Sequence, residues 1–589
     1  MMPHVLLIVV DALRADHLGC YAGSDRGTPN MDRLAREGVL FSNAISQSSW
    51  TRPAVASLMT GLYPSQHRLV DRPGNVRKGL ASVAGLDHAT TTLAELLAAA
   101  GYETAAFLGG NANLKPMFGL TRGFARSHWR PTTDGALLFE DFERWLREES
   151  PERSFSYLHF MDVHHPLPAE IIPSRLDRGL DLRAVRESMA ELAAHYAESV
   201  RQVDGHVGRV LAALTSAGRL DDTWIVLTAD HGEELMEHGA MLAHGRALYR
   251  ELVRVPLVMR LPGEIPAGVV IDPPVQLIDL VPTMAERLGL APPNVPGQSL
   301  GSLIRGVAAA AHPVAFSELL KGDRYIQSVT TPTHQLIVSY LFEEDGRGSP
   351  ADLEPGLSVR VKGQPMRGGG FLATKVSIGP DKRTKLRGTV EHVDRGAGSM
   401  TAMGLTFRID EETEFVGLDK APFSPNELNV GDKVSATLDG DGAGGPLVAS
   451  KVSRRKGGGK SSIGGRIERV QDLESGLRSI TVLGLDVLVS HEAYVGMARE
   501  RTRKAPRTDA LSRVLAGDFL RREAELYDVA DDPLQTRNIV DVRLDIAQEL
   551  EAALAAWTQS LATGERSAGE TVDLDPETLE QLRLMGYVD

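Results

Sequence analysis

Cysteine is almost missing from this chain of 589 residues: there is one, Cys20. A single thiol excludes an internal disulfide and any zinc or iron–sulfur site built from cysteines. Positive charge is not in excess. The 64 Lys and Arg are outnumbered by 78 Asp and Glu, a formal net charge of −14, which argues against a general nucleic-acid binder. A membrane segment is also lacking. The apolar run Val5 to Val10 stops at Asp11, too short for a bilayer, and it has neither the positive flank nor the cleavage site of a signal peptide. The expected location is the cytoplasm. Aromatics make up only 5% against 58 glycines, so part of the chain is expected to be rich in turns. What remains is ordinary: 42% apolar and 24% charged residues, in a length that predicts about two to four domains.

The first 340 or so residues alternate between strand and helix patterns. Val5–Val10, Thr104–Leu108, Phe155–Met161, Thr223–Thr228 and Val255–Arg260 read as buried strands. Thr92–Ala100, closed by Gly101, and Arg186–Ala217 read as helices. Continuous apolar strands separated by helices predict an α/β domain, with a mostly parallel sheet sandwiched by helices. From Ser349 to about Val495 the pattern changes to short strands and frequent glycine. This stretch repeats itself: Ser349–Val359 matches Ser424–Val434, and Thr401–Phe407 matches Thr481–Val487, at offsets drifting from 75 to 80. A duplicated β unit, folded as a small barrel or a pair of barrels, is expected. Arg454 to Lys460 reads as a solvated linker. A helix is expected again over Asp541–Gln559. The division is therefore 1–345 as an α/β domain, 346–500 as an inserted all-β module, and 501–589 as the part that completes the first domain.

Three strands end on an acid: Asp11, Asp162 and Asp230. The carboxyl ends of strands are where open α/β sheets bind ligands. Three carboxylates there repel one another unless a cation lies between them. His231 follows Asp230, His164 and His165 follow Asp162, and His244 lies in Ala-His-Gly. Carboxylates with imidazoles suit a divalent metal. Thr51, followed by Pro53, reads as the N-cap of a helix whose amino end would face an anionic ester.

The stretches Ile8-Val-Val-Asp11-Ala-Leu-Arg14, Thr51-Arg-Pro53-Ala-Val-Ala-Ser57-Leu-Met-Thr60-Gly61, Met161-Asp162-Val-His164-His-Pro166, Thr228-Ala-Asp230-His231-Gly232-Glu233 and Glu525-Leu-Tyr527-Asp together resemble the sulfatase family of the alkaline-phosphatase superfamily. The resemblance covers about residues 3–340 and 517–589. It implies a sulfatase-like α/β fold and a divalent metal held by Asp11, Asp230, His231 and the oxygen of Thr51, with Thr51 as nucleophile. Mn²⁺ or Zn²⁺ is expected, with Mg²⁺ or Ca²⁺ as alternatives. His164 and His244 are implied as catalytic or substrate-contacting groups. The alternative places them with Asp162 around a second metal, a reading that Pro166, standing where two-metal relatives have His, disfavours. Arg14 is implied to be structural.

The departures set the chemistry. Typical sulfatases carry Cys or Ser, converted to formylglycine, where this chain has Thr51; no formylglycine is expected here. They have paired acids where this chain has Asp11-Ala12. Their Gly-Lys-x-His step reads Gly110-Asn111-Ala-Asn113, which leaves Asn111 as the candidate substrate-binding side chain. A sulfo-threonine lacks the exit that an aldehyde hydrate provides, whereas a phospho-threonine can be hydrolysed in line. The expected activity is therefore that of a phosphate or phosphonate mono- or diester hydrolase (phosphodiesterase or phosphonate monoester hydrolase) on small-molecule esters, with sulfate esters as the further option. A phosphoryl transferase of the same superfamily and a non-catalytic scaffold are the alternatives. No nucleic-acid partner is expected, and the oligomeric state is left open.

Overall fold

The computed structural model describes residues 2–70, 82–149, 151–164, 182–235, 237–238, 241–291, 293–307, 312–321, 324–341, most strand positions between 347 and 497, then 521–563, 570–573, 575, 577–578 and 581. His165, Pro166, the linker residues 455–460 and both expected domain joints lie outside them.

The apolar runs form one eight-stranded sheet. Its strands are β1 (His4–Val10), β2 (Val39–Phe41), β3 (Glu103–Leu108), β4 (Arg126–Trp129), β5 (Ser154–Phe160), β6 (Thr223–Thr228), β7 (Leu257–Arg260) and β8 (Val269–Ile271), in the order β8-β2-β7-β6-β1-β5-β3-β4. The five strands from β6 to β4 run parallel. β7 is antiparallel to both β6 and β2. The expected single strand Val255–Arg260 is split at Pro256, which has no N–H to give a ladder. Val5 to Val10 are at most 2% exposed, which is why β1 reads as an unbroken apolar run. Helices α1 (Thr51–Thr60), α2 (Gly135–Glu148) and α3 (Leu182–Ser216) flank the sheet.

A second, antiparallel sheet follows: β9 (Ala315–Lys321), β10 (Arg324–Thr330), β11 (His334–Leu341) and β12 (Arg521–Asp528). β12 comes from the far side of the glycine-rich stretch and pairs with β11 along its whole length, Leu341 opposite Arg521. A last long helix, α4 (Leu544–Thr563), packs its Leu550, Leu554 and Trp557 against this sheet.

The repeat folds as two rings of five strands. In one, Thr384–Asp394, Ser399–Ala402, Leu405–Arg408, Val448–Arg454 and Lys433–Asp439 pair in a closed circuit. In the other, Ser358–Pro365, Phe371–Ile378, Leu485–Met497, Arg478–Val482 and Ser461–Asp472 do the same. Each ring takes two strands from one copy of the repeat and three from the other. The first ring is contiguous in sequence and sits inside the chain of the second. Their alternating apolar faces form one cluster, including Val361, Val390, Phe407, Val434, Val452 and Val487.

Candidate active site

β1, β5 and β6 deliver their acids where the sequence pattern puts them, at the carboxyl edge of the sheet. Asp11, Thr51, Asp230 and His231 are all 0% exposed. Thr51 is not an N-cap as expected: Trp50 occupies that position and Thr51 is the first helical residue. Its hydroxyl faces Asp11 at the end of β1. Thr51 Oγ1 lies 3.2 Å from Asp11 Oδ2 and 3.4 Å from His231 Nε2. Asn111, just past the end of β3, donates its Nδ2 to Thr51 Oγ1 at 3.0 Å and to Asp11 Oδ2 at 2.9 Å. Asn113 fixes the other end of that amide, giving Asn111 Oδ1 hydrogen bonds from its backbone and side-chain nitrogens.

The two oxygens of Asp11 are used differently. Oδ2 faces Thr51, Asn111 and His159, whose Nε2 is 3.1 Å away. Oδ1 is buried and accepts no hydrogen bond, and the same holds for Asp230 Oδ2. His231 Nε2 stands 3.5 Å from each of these two oxygens. The His231 Nδ1–H donates to the Gly232 carbonyl at 2.7 Å, so in the neutral ring the lone pair sits on Nε2. The other Asp230 oxygen, Oδ1, is satisfied by the N–H groups of Ala12 and His231. Ala12 reaches it by adopting φ 62°, a left-handed conformation that is costly for alanine.

Burial raises both carboxyls, with different results. At Asp11 burial is overcome by His164, His159 and His231, which hold it well below the usual carboxylate range. At Asp230 burial, and then the Asp11 charge, push it well above. Two neighbouring buried carboxylates thus do not share full negative charge without a cation. Asp11, Asp230 and His159 present ligand atoms within 4.8 Å of one another. Two carboxylate oxygens without hydrogen bonds, an imidazole lone pair aimed between them and a hydroxyl alongside are a donor set that fits a divalent cation.

His164 and His244 complete the centre. Their rings lie 4.9 Å apart, and the His244 ring is 4.6 Å from that of His231. Nδ1 of His244 is 3.1 Å from both oxygens of the buried Glu233. Asp162 is placed elsewhere: its Oδ1 takes the Gly135 N–H at 3.1 Å and lies 3.1 Å from His206 Nε2. Among the described residues its metal-competent neighbours are Asp134 and His206, not His164 with His244. Arg14 is a clamp, bonded through both terminal arms to Asp16, Glu237 and the Glu233 carbonyl. Cys20 sits in a separate short helix, where burial and Asp32 push its thiol up to about 12.

Sequence reasoning did not single out His159 or Glu233 as site residues. His159 had a signal: it is the one imidazole in a strand otherwise suited to burial on both faces, and it pairs in register with Val9, two residues before Asp11. Glu233 had none beyond standing in the Asp-His-Gly-Glu stretch.

The fold is that of an alkaline-phosphatase-type α/β protein, with this candidate centre at the carboxyl edge of its sheet. The sulfatase family model matches residues 3–290. Human arylsulfatase A is 30% identical over 368 residues, covering 53% of this chain and 70% of its own length. The chain belongs to the sulfatase family. The pig N-acetylgalactosamine-6-sulfatase is 26% identical over 340 residues, or 50% of this chain; the match spans 63% of that protein's length. The solved phosphonate monoester hydrolase of Agrobacterium radiobacter superposes with a TM-score of 0.50 at 19% identity, over 98% of this chain and 100% of that one, and shares its fold. A second family model, a domain of unknown function (DUF5666), matches residues 387–453, nearly the whole inner ring. Among the described residues no helix is long and apolar enough to cross a membrane.

Proposed function

We propose that this protein is a metal-dependent hydrolase of phosphate or phosphonate esters in which Thr51 is the nucleophile. The observation that carries the reading is the Thr51 hydroxyl. It rests against Asp11 and Asn111, beside two buried carboxylate oxygens that no hydrogen bond satisfies. Asp11, Asp230, His231 and Thr51 would hold the cation, which supplies Lewis-acid stabilisation of the alkoxide and of the charge developing on the transferred group.

The chain's own residues do the rest. Asn111 fills one lone pair of Thr51 Oγ1, so the hydroxyl proton is directed at Asp11 Oδ2. As the Oγ1–phosphorus bond forms, the hydroxyl proton passes to Asp11 Oδ2, and the ester oxygen leaves with a proton from His244 or His164. Glu233 holds His244 by Nδ1, which presents the opposite nitrogen for that transfer. In the second half the same histidine accepts a proton from water, whose attack in line breaks the Thr51–phosphorus bond, and Asp11 returns its proton to Oγ1 to restore the hydroxyl. A sulfo-threonine would face the same water step without the aldehyde-hydrate exit, which is why phosphorus esters are preferred. The division into 1–345, 346–500 and 501–589 goes with this reading: every residue assigned a chemical role lies in the first segment.

The test is a panel of 4-nitrophenyl phosphate, phenylphosphonate and sulfate with Mn²⁺ or Zn²⁺. Phosphorus esters should turn over at least tenfold faster than the sulfate, and Thr51→Ala should lose at least 10³-fold. Sulfatase activity equal in wild type and Thr51→Ala would remove Thr51 as nucleophile. Metal analysis of the purified protein separates this reading from a scaffold, and an added alcohol acceptor separates it from a transferase.

A further inference from the structure

We propose that Tyr196 is a positioning residue for the metal centre. Its buried hydroxyl latches Ala12 in a left-handed turn, and that turn fixes Asp230 so that one carboxylate oxygen is kept for the cation. This rests on the metal-dependent reading above and adds to it a side chain of α3 that bonds to the backbone beside the ligands.

The turn itself calls for such a latch. The ladder between β1 and β5 continues as far as the Asp11 N–H, which donates to the Phe160 carbonyl at 2.9 Å. At Ala12 the chain turns with φ 62°. Arg68 has a similar φ, but it closes a short helix, where this conformation is common. Ala12 follows a strand and closes no helix. Alanine also lacks the polar side chain that lets asparagine or aspartate ease the conformation by a local hydrogen bond. A strained residue of this kind persists where the surrounding structure holds it.

Tyr196 does the holding. Its hydroxyl donates to the Ala12 carbonyl at 2.6 Å and accepts the Arg14 N–H at 2.8 Å. Both bonds are shorter than those from the Leu13 N–H to the Val10 carbonyl and from the Ala12 N–H to Asp230 Oδ1, each 3.3 Å. Tyr196 and Ala12 are both 0% exposed. The phenol ring is set edge-on to His17, with centroids 4.6 Å apart. If the hydroxyl were removed, a buried C=O and a buried N–H would lose their partner together.

The consequence reaches the metal centre through Asp230. The Ala12 N–H joins that of His231, at 2.9 Å, on Asp230 Oδ1. Two donors thus fix one oxygen of this carboxylate. The other, Oδ2, accepts no hydrogen bond and lies 3.5 Å from His231 Nε2. If Ala12 relaxed to an ordinary φ, Asp230 would lose one of the two restraints that orient it.

The test is calorimetric titration of metal-free protein with Mn²⁺, or with Zn²⁺ where Mn²⁺ does not bind. It compares wild type, Tyr196→Phe, and Tyr196→Phe combined with Ala12→Gly. Phenylalanine keeps the ring and removes only the hydroxyl. Glycine adopts a left-handed turn without steric cost, so it removes the need for the latch. Affinity should fall at least fivefold in Tyr196→Phe and return to within twofold of wild type in the double variant. Recovery by glycine separates a latch from a general loosening of the core, which glycine would worsen. Melting curves check folding. If Tyr196→Phe does not fold, the double variant must fold and bind, and its failure overturns the proposal. A loss of less than fivefold in Tyr196→Phe, or one that glycine does not repair, also overturns it. Wild type that binds neither ion overturns the metal reading and the latch together. That result is distinct from failure of the latch alone, in which wild type and Tyr196→Phe bind alike.

Discussion

At the scale of single residues, Asn111 is where this chain departs most instructively from its relatives' pattern. One amide nitrogen serves both Asp11 and Thr51, at 2.9 and 3.0 Å, and it is neutral. A cation there would compete with the metal for the Asp11 charge; an amide orients the hydroxyl without adding to the positive side. Hydrogen bonds to charged groups contribute about 1.5–3 kcal/mol. Asn111→Ala should therefore lower kcat by one to two orders of magnitude, with KM changed less than threefold, in steady-state assays on a nitrophenyl phosphorus ester. Asn111→Asp should be worse, because it sets a third carboxylate against Asp11. Asn111 was legible from the sequence only as a substitute in a motif and as a substrate contact. Its engagement with the nucleophile depends on how the chain turns after β3, where Gly109 and Gly110 pack against Met161 and Thr132, and no local pattern encodes that. Asp11, Asp230 and His231 were legible because each follows on the carboxyl end of an apolar strand. Asp162, equally well placed in sequence, was drawn away by His206 on α3, thirty-five residues of helix whose rotation the sequence leaves open.

At the scale of elements, α1 carries the nucleophile and has all ten of its residues buried. Its far end is pinned by His67, whose Nε2 lies 3.1 Å from Ser57 Oγ and whose Nδ1 accepts the Leu69 N–H at 3.1 Å. With Nδ1 an acceptor, the ring is neutral. Burial, with Arg52 nearby, pulls its pKa down to about 3 from an ordinary 6.5. A histidine that titrates lower in the folded state stabilises fully above pH 6.5, where neither state is protonated. That contribution is lost as pH falls toward 3, because the unfolded chain takes up the proton first. At pH 5 the loss is about 2 kcal/mol. The wild-type Tm should drop between pH 6.5 and 4.5, and His67→Asn should flatten that part of the profile while lowering Tm at pH 7.5. An equally steep profile in the variant would take His67 out of the account. The helix after Thr92 followed the sequence closely, whereas α3 begins four residues before the expected Arg186 and α4 runs four residues past the expected Gln559. Thr92 caps its helix with a box to Glu95 and Gly101 closes it at φ 84°. Thr51 did not follow: it is the first helical residue, one past the cap, and its hydroxyl lies against Asp11, a partner in tertiary structure that no local pattern announces.

At the scale of the whole molecule, the duplication was visible from sequence and its strand exchange was not. Offsets between copies show that two units are alike, and they are silent about which strand closes on which. The inner ring is continuous in sequence, and the outer ring waits for strands on both sides of it. The whole inserted stretch leaves the second sheet at Leu341 and returns at Arg521, opposite one another in the β11–β12 ladder. Replacing residues 342–520 by a short Asn-Gly turn should therefore preserve a cooperative melt of the remaining α/β part. Activity on nitrophenyl esters should stay within about fivefold. Loss of both would mean that the inserted stretch props the catalytic sheet.

The pairing of Leu341 with Arg521 also bears on the order of events during folding. Joining two strands across well over a hundred disordered residues, rather than across a four-residue turn, costs about 3 kcal/mol in chain entropy. The inserted stretch can remove about half of that cost before β12 arrives, since its own first and last strands lie side by side, Arg347 opposite Gly496, which leaves 29 residues outside them. Once its rings have closed, only those residues separate the distant strand from its place beside β11. Sheet completion, and with it the seat of α4, then depends kinetically on a module that holds none of the residues assigned to the chemistry.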